Sequence, residues 1–465
     1  MARLAHCIGA GRGELRPALI AFVSFCCLFT GYFMLRPVRE SMGIAGGVEH
    51  LQWLFTANLV GTLAVVPAYA WVAARLPRTQ LAGGVYGFFC VNLLLFAGLF
   101  QMAGEDVRVA RAFYVWLSIY NLMVVSVTWS LMTDVFDARQ ARRLFGFLAA
   151  GASVGGLLGP AASVVLAGAL GEAGLVLLAA ALLGVALACN TTLLRWRAKV
   201  RGTELSGAGR DDDARAPIGG NPLAGFAEVL TSRYLLAVAG FVLLLAATTT
   251  LLYIEQMRLV AEWFPDRTAQ IRVFGLFDVA VQVGALLLQL FVTGRAIGTL
   301  GLGAWLAIVP VVVCVGFVAL ALSPGFAMLA VLLVIRRIGE YAFVRPGREL
   351  LFAPLGTRTR YRAKTVIDTA VYRAGDAASA WCRSIVDVLG QGTALVAVIG
   401  AVCALVWAAL GWSVGRHADR LSLPARREAG DRHGPRPSRF SNTRHPGKPG
   451  CRGVGVVRSV VTVSW

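Results

Sequence analysis

Eight charged side chains stand inside long apolar stretches of this sequence: Glu255, Asp278, Arg336, Arg337, Glu340, Asp368, Arg373 and Asp376. A charge at the centre of a bilayer-crossing helix costs at least about 2.5–3.5 kcal/mol, so it is kept where it works or is paired. Arginine offers a planar fork of donors that fits carboxylate or phosphate. A carboxylate shielded from water holds a proton more readily, which suits ion coupling. Glu255 and Asp278, on neighbouring stretches, are candidates for that role.

Spacing groups several of these charges. Glu340 follows Arg336 by four residues, Asp368 follows Lys364 by four, and Asp376 follows Arg373 by three. Each spacing sets two side chains on one helix face. The first apolar stretch ends Tyr32-Phe33-Met34-Leu35-Arg36-Pro37-Val38-Arg39-Glu40, and residues 341–349 repeat its pattern, Tyr-x-x-apolar-Arg-Pro-x-Arg-Glu. Proline frees a backbone carbonyl and bends a helix, as a gate requires. On these grounds Arg36, Arg39, Arg336, Tyr372 and Arg373 are assigned to substrate binding. Glu40, Glu255, Asp278, Glu340, Asp368 and Asp376 are assigned to coupling or gating. Plainer readings stand beside these. The eleventh-span charges could form a purely structural ion-pair network, and Arg345 and Arg348 could be helix-end arginines reaching for lipid headgroups. Asn58, Asn92 and Asn121 read as interhelical glue, and the run Gly151–Pro160 as a surface for close helix packing.

The elements that must position these residues are helices. A crossing needs about 20 mostly apolar residues. Such spans are expected near 17–36, 51–74, 81–102, 112–134, 144–168 and 173–194, then 234–257, 270–294, 300–322, 325–345, 365–388 and 391–414. The expected organisation is an N-terminal six-helix half over 1–194, a cytoplasmic linker over 195–233, a C-terminal half over 234–414 and a disordered basic tail over 415–465. Leu54-Phe55-Thr56 recurs as Leu276-Phe277-Asp278, and Arg142-Arg143 before the fifth span matches Arg362 before the eleventh. Two halves repeated in parallel define a major-facilitator-like, all-α membrane protein of 12 transmembrane helices.

Composition agrees. The chain is 57% hydrophobic and 15% charged, whereas a soluble chain carries about 25% charged residues. Its net charge of +19 is not a sign of nucleic-acid binding, because 11 Lys/Arg against 3 Asp/Glu lie in the tail from Gly415 onward. Arg75, Arg78, Arg139, Arg142, Arg143, Arg295, Arg358, Arg360, Arg362 and Lys364 fall in loops on one face. That face is expected to be cytoplasmic, with both termini, in a bacterial inner membrane. The basic, then apolar, N-terminus reads as an uncleaved first helix. The nine cysteines form no Cys-x-x-Cys and read as packing residues, and the five histidines all lie outside the spans. No phosphate-loop or His-Glu-x-x-His pattern occurs, and neither an enzyme nor a cofactor is expected.

Three sets of residues resemble the ATP/ADP-translocase family, the nucleotide exchangers of intracellular bacteria and plastids, and its bacterial relatives. They are Leu35–Glu40; Phe113-Tyr114-Val115-Trp116 with Ser126-Val127-Thr128-Trp129 and Arg142–Gly146; and Lys364–Asp368 with Gly375. The resemblance implies exchange of a small anionic solute, nucleotides being the leading candidates, by a protein in contact with membrane lipid. Two features depart from the family. Its span-four acid is absent near Leu117 and Ser118, and Asp376 stands where the family carries lysine. Gly155-x-x-x-Gly159-Pro160 is similar to the antiporter motif of major facilitator proteins, but Ala73–Arg78 lacks the acidic loop signature of drug and sugar carriers. Proton-coupled carriage of a small organic solute is the alternative transport reading, and a non-transporting sensor or scaffold is the alternative of another class.

Overall fold

The computed structural model describes residues 11, 13–73, 75, 78–102, 106–204, 224–323, 325–390 and 392–431. The centre of the expected linker, 205–223, and the tail from 432 onward lie outside the described residues, as do Ala74, Leu76 and Pro77 and the side chains of Arg78, Arg295 and Arg358. Among the described residues the chain is all-α.

The N-terminal half comprises α1 (Leu15–Ala45), α2 (Leu51–Ala73), α3 (Arg78–Met102), α4 (Val107–Val135) and α5 (Ala138–Glu204). α1 does not stop near residue 36 as expected. Its 31 residues reach about 46 Å, and it ends at Gly46–Gly47, where Gly47 adopts φ 95°. The charges at residues 36–40 leave the helix intact because protein groups partner them, as described below. α5 is two arms that reverse at Gly171 (φ 62°, ψ −174°), a backbone conformation open to glycine. Its second arm continues to Glu204, into the stretch expected as linker.

The C-terminal half begins with the short α6 (Ala224–Thr231), also inside the expected linker, and α7 (Arg233–Trp263). α8 (Arg267–Leu288) passes through a π-turn, Gln289–Thr293, into α9 (Gly294–Leu322), which breaks at Gly301 (φ 72°). α10 (Phe326–Gly339), a π-turn (Glu340–Val344) and α11 (Arg345–Leu351) form one continuous run. So do α12 (Thr357–Val366), a π-turn (Ile367–Val371) and α13 (Tyr372–Val388). α14 (Thr393–Asp431) carries helix well past residue 415, where the disordered tail was expected to start.

Among the described residues, nine helical stretches are long and apolar enough to cross a bilayer. The stretch 139–200 folds back at Gly171, and the runs that hold α10 to α13 are not among the nine. Those runs carry the buried arginines and acids, which lower their hydropathy. Val91, Leu95, Val165, Val315 and Leu405 face outward, as a lipid-facing surface requires.

Each half has its own apolar core. In the first, α1 lies on α5. A Cβ on Gly155 would fall 2.6 Å from the Cys26 carbonyl oxygen, and one on Gly159 2.6 Å from that of Thr30. In the second half α13 lies on α7, and a Cβ on Gly375 would fall 2.9 Å from Ala246 Cβ. The pairs Cys26/Gly155 and Ala246/Gly375 are displaced by the same 220 positions, so one helix crossing recurs in both halves. A third apolar cluster joins the halves at the end holding residues 46–50 and 264–266. It includes Leu51, Phe55 and Tyr114 from one half and Ile254, Met257, Phe274 and Ala377 from the other.

Candidate functional site

Between the halves lies a cavity of about 190 Å³. α1 brings Arg36, Arg39 and Glu40, which its helical pitch sets on one face, and α2 adds Phe55. α7 contributes Thr249, Thr250, Tyr253 and Gln256, and α8 contributes Phe274 and Asp278. α10 gives Leu333, Arg336 and Arg337; α13 gives Tyr372, Arg373 and Asp376. Both of these helices abut a π-turn, 340–344 after the α10 arginines and 367–371 before Tyr372. Such turns widen a helix locally and are frequent at functional sites.

Asp278 is 5% exposed and accepts from Arg337 Nη2 at 2.5 Å, with Arg36 Nε 3.7 Å away. Arg39 Nη2 reaches Glu40 Oε1 at 3.2 Å, and its guanidinium lies 4.6 Å from the Tyr114 ring centroid. Tyr253, from the other half, donates its hydroxyl to Glu40 and meets the Tyr114 hydroxyl at 2.9 Å. Arg336 is 4% exposed; its Nη1 donates to Thr249 Oγ1 at 2.8 Å and to Glu340 Oε2 at 2.9 Å. Thr250 donates to Asp376 Oδ1 at 2.8 Å, while Arg373 Nη1 lies 3.4 Å from Asp376 Oδ2.

Of the residues singled out from sequence, Arg36, Arg39, Glu40, Asp278, Arg336, Tyr372, Arg373 and Asp376 line one cavity. Three others stand elsewhere. Glu340 sits behind Arg336, sharing its carboxylate with Arg345 at 3.7 Å. Glu255 is bound by Arg383 at 2.8 Å in a buried pair, and Arg383 also reaches the exposed Asp387, which Arg258 binds in turn. Asp368 faces Arg348 at 3.7 Å; Lys364, four residues before it, binds Glu349 at 2.7 Å instead. The glycine run before Pro160 serves the α1–α5 contact, as its packing reading expects.

Arg337, Thr249, Thr250, Tyr253, Gln256, Phe55, Phe274 and Leu333 are cavity residues that sequence assignment left out. Arg337 was visible as a charge in an apolar span. The polar set Thr249, Thr250, Tyr253 and Gln256 recurs at intervals of three and four along α7, a stripe that periodicity could have found.

The described contacts that join the halves run from the middle of the bundle toward the end with residues 46–50 and 264–266. Gly275 of α8 lies close to the Pro160 carbonyl of α5, Ser41 donates to Gln270 at 2.9 Å, and Arg267 meets Glu172 at 2.7 Å. Trp53 and Trp381 pack edge to face at 4.9 Å, and Trp381 donates to Thr56 at 3.0 Å. The cavity therefore has a floor at that end, made by both halves.

No family model matches the sequence, and no curated protein matches it either. Solved structures do match. A bacterial homologue of the iron transporter ferroportin in its inward-facing state superposes with a TM-score of 0.61 at 14% identity, over 86% of this chain and 99% of that one. The nucleoside transporter NupG matches with a TM-score of 0.55 at 15% identity, over 86% and 98%. The POT family transporter PepTSo matches with a TM-score of 0.56 at 14% identity, over 89% and 98%. The chain has the major-facilitator fold.

Proposed function

We propose that this protein is a secondary transporter of small anions, working by alternating access. The observation that carries the reading is the charge of the cavity between the halves: five arginines against three carboxylates. Glu340 behind Arg336 is offset by Arg345, so with every group ionised two positive charges are left over in a place where each unmatched charge is costly. An anionic solute removes that cost by binding. The two halves rock about the cavity, and twelve crossings in two repeats follow if α5 is two spans and the runs 326–351 and 357–388 are one each. The floor of inter-half contacts corresponds to a carrier closed toward the outer side. The opposite end bears the start of α1 with Arg139, Arg142, Arg143, Arg360 and Arg362, and by the charge rule it faces the cytoplasm of an inner membrane. Arg36, Arg336, Arg337 and Arg373 hold the anion; Tyr253 and Glu40 are the gate pair.

Exchange of a nucleotide or another phosphorylated solute is the leading case, and it fits guanidinium forks better than a neutral or cationic cargo. Proteoliposomes loaded with ATP are expected to take up ADP, and Arg373→Ala is expected to abolish the uptake. Wild-type uptake no greater than that of protein-free vesicles removes the nucleotide version.

A further inference from the structure

Asp278 differs from the other carboxylates of the cavity. Glu40 pairs with Arg39 of its own helix and Asp376 with Arg373 of its own helix. Asp278 is held by two arginines on two other helices, Arg337 from α10 of its own half and Arg36 from α1 of the opposite half. The contact to Arg36 is long, at 3.7 Å, and 21% of the Arg36 side chain stays exposed. Nearby, Arg336 Nε and Arg39 Nε are buried with no hydrogen-bond partner. A single carboxylate thus spans a seat whose guanidinium donors exceed what it can satisfy.

Resting on the anion-transport reading, we propose that Asp278 is a resident counter-anion. Its carboxylate fills the place of the cargo between Arg36 and Arg337, and a dianionic oxyanion binds by taking those two arginines from it. The charge count selects the class. Asp278 stays in the cavity when it swings aside, so five arginines and three carboxylates still require two negative charges for neutrality. A dianion supplies both; a monoanion leaves one guanidinium charge buried and unmatched. Displacement also sets the affinity, because the cargo must replace a charge-assisted hydrogen bond that already exists. The seat joins residues of both halves, so the cargo that enters it contacts each of the bodies that move.

The test is calorimetric titration of the purified full chain in lipid nanodiscs with three probes: inorganic phosphate as its dianion, succinate and acetate. Asp278→Asn is expected to bind phosphate or succinate at least about tenfold more tightly than wild type, since the competing carboxylate is gone. The probe that gains tells phosphate cargo from dicarboxylate cargo. Adding Arg337→Gln to Asp278→Asn is expected to remove the gain. If Asp278→Asn does not fold, Asp278→Ser carries the same expectation. A dianion bound equally or less tightly by the folded neutral variants than by wild type overturns the counter-anion and leaves anion transport standing. An equal gain for acetate overturns the dianion class. Folded wild type and variant that bind none of the three probes overturn both readings together.

Discussion

The two halves share a fold and divide the labour unequally. The N-terminal half is a wall of aromatic side chains: Phe89, Phe96, Phe113, Trp116 and Tyr120 contact one another through ring edges and faces. It presents Arg36, Arg39, Glu40 and Phe55 to the cavity. The C-terminal half provides every other lining residue, and its three described π-turns include the two beside the site. In the proposed carrier, one half is the firm partner and the other supplies most of the recognition surface. The C-terminal half also keeps buried charges that do not face the cavity, so its ionic groups fall into a binding set and a structural set.

The largest effect is expected in that structural set. Arg383 is 2% exposed and holds both Glu255 and Asp387. Arg383→Met keeps the bulk but leaves the buried Glu255 without its cation, while Asp387 keeps Arg258, and removing one partner of a buried ion pair costs about 3–5 kcal/mol. The variant should melt far below wild type in detergent, while any folded fraction keeps its affinity for inorganic phosphate. A stable Arg383→Met protein that has lost phosphate binding would move this network into the binding set.

A smaller effect separates the halves within the cavity. Arg336 is nearly fully buried and bonds Thr249 and Glu340, whereas Arg39 is balanced by Glu40 and rests on Tyr114. Arg336→Gln is expected to weaken phosphate binding by about 2–3 kcal/mol, and Arg39→Gln by about 1 kcal/mol or less. Calorimetry on both variants checks the order. A greater loss from Arg39→Gln would place recognition in the N-terminal half.

The sequence reveals such groups because ionisable residues in apolar spans are conspicuous, and the i,i+4 pair Arg336/Glu340 and the i,i+3 pair Arg373/Asp376 form as their spacing implies. Helix periodicity also places Arg36, Arg39 and Glu40 on one face. What periodicity cannot supply is a partner on a different helix. Glu255 looks like an isolated proton carrier until the fold brings Arg383 to it from 128 positions away. Asp278 looks isolated in the same way until α1 and α10 converge on it. The same limit explains the misplaced helix ends. Charges at 36–40 resemble the end of a span, yet their partners lie inside the protein and α1 runs on to Ala45. Polar composition beyond residue 415 resembles disorder, yet Asp419 accepts from the Leu302 backbone N–H at 3.0 Å and α14 continues to Asp431.

The repeated helix crossing allows the finest comparison. Gly155 on α5 faces main chain: an added Cβ would lie 2.6 Å from the Cys26 oxygen and 2.8 Å from the Thr30 nitrogen. Gly375, its counterpart 220 positions on, faces the Ala246 methyl at 2.9 Å and the Leu243 oxygen at 3.2 Å. Neither contact can yield by a side-chain rotation, but an added Cβ on Gly155 meets three atoms at 2.9 Å or closer where one on Gly375 meets a single atom. Gly155→Ala is therefore expected to cost about 2–3 kcal/mol and Gly375→Ala about 1 kcal/mol, within the range for overpacked cores. Denaturant unfolding of the two variants measures the difference. Equal costs would mean that both crossings are equally tight, and the N-terminal half would lose its standing as the firmer partner. The predicted inequality instead ties its rigidity to a single close helix approach, against which the looser α7–α13 pair, with its adjoining π-turn, can adjust around an anion.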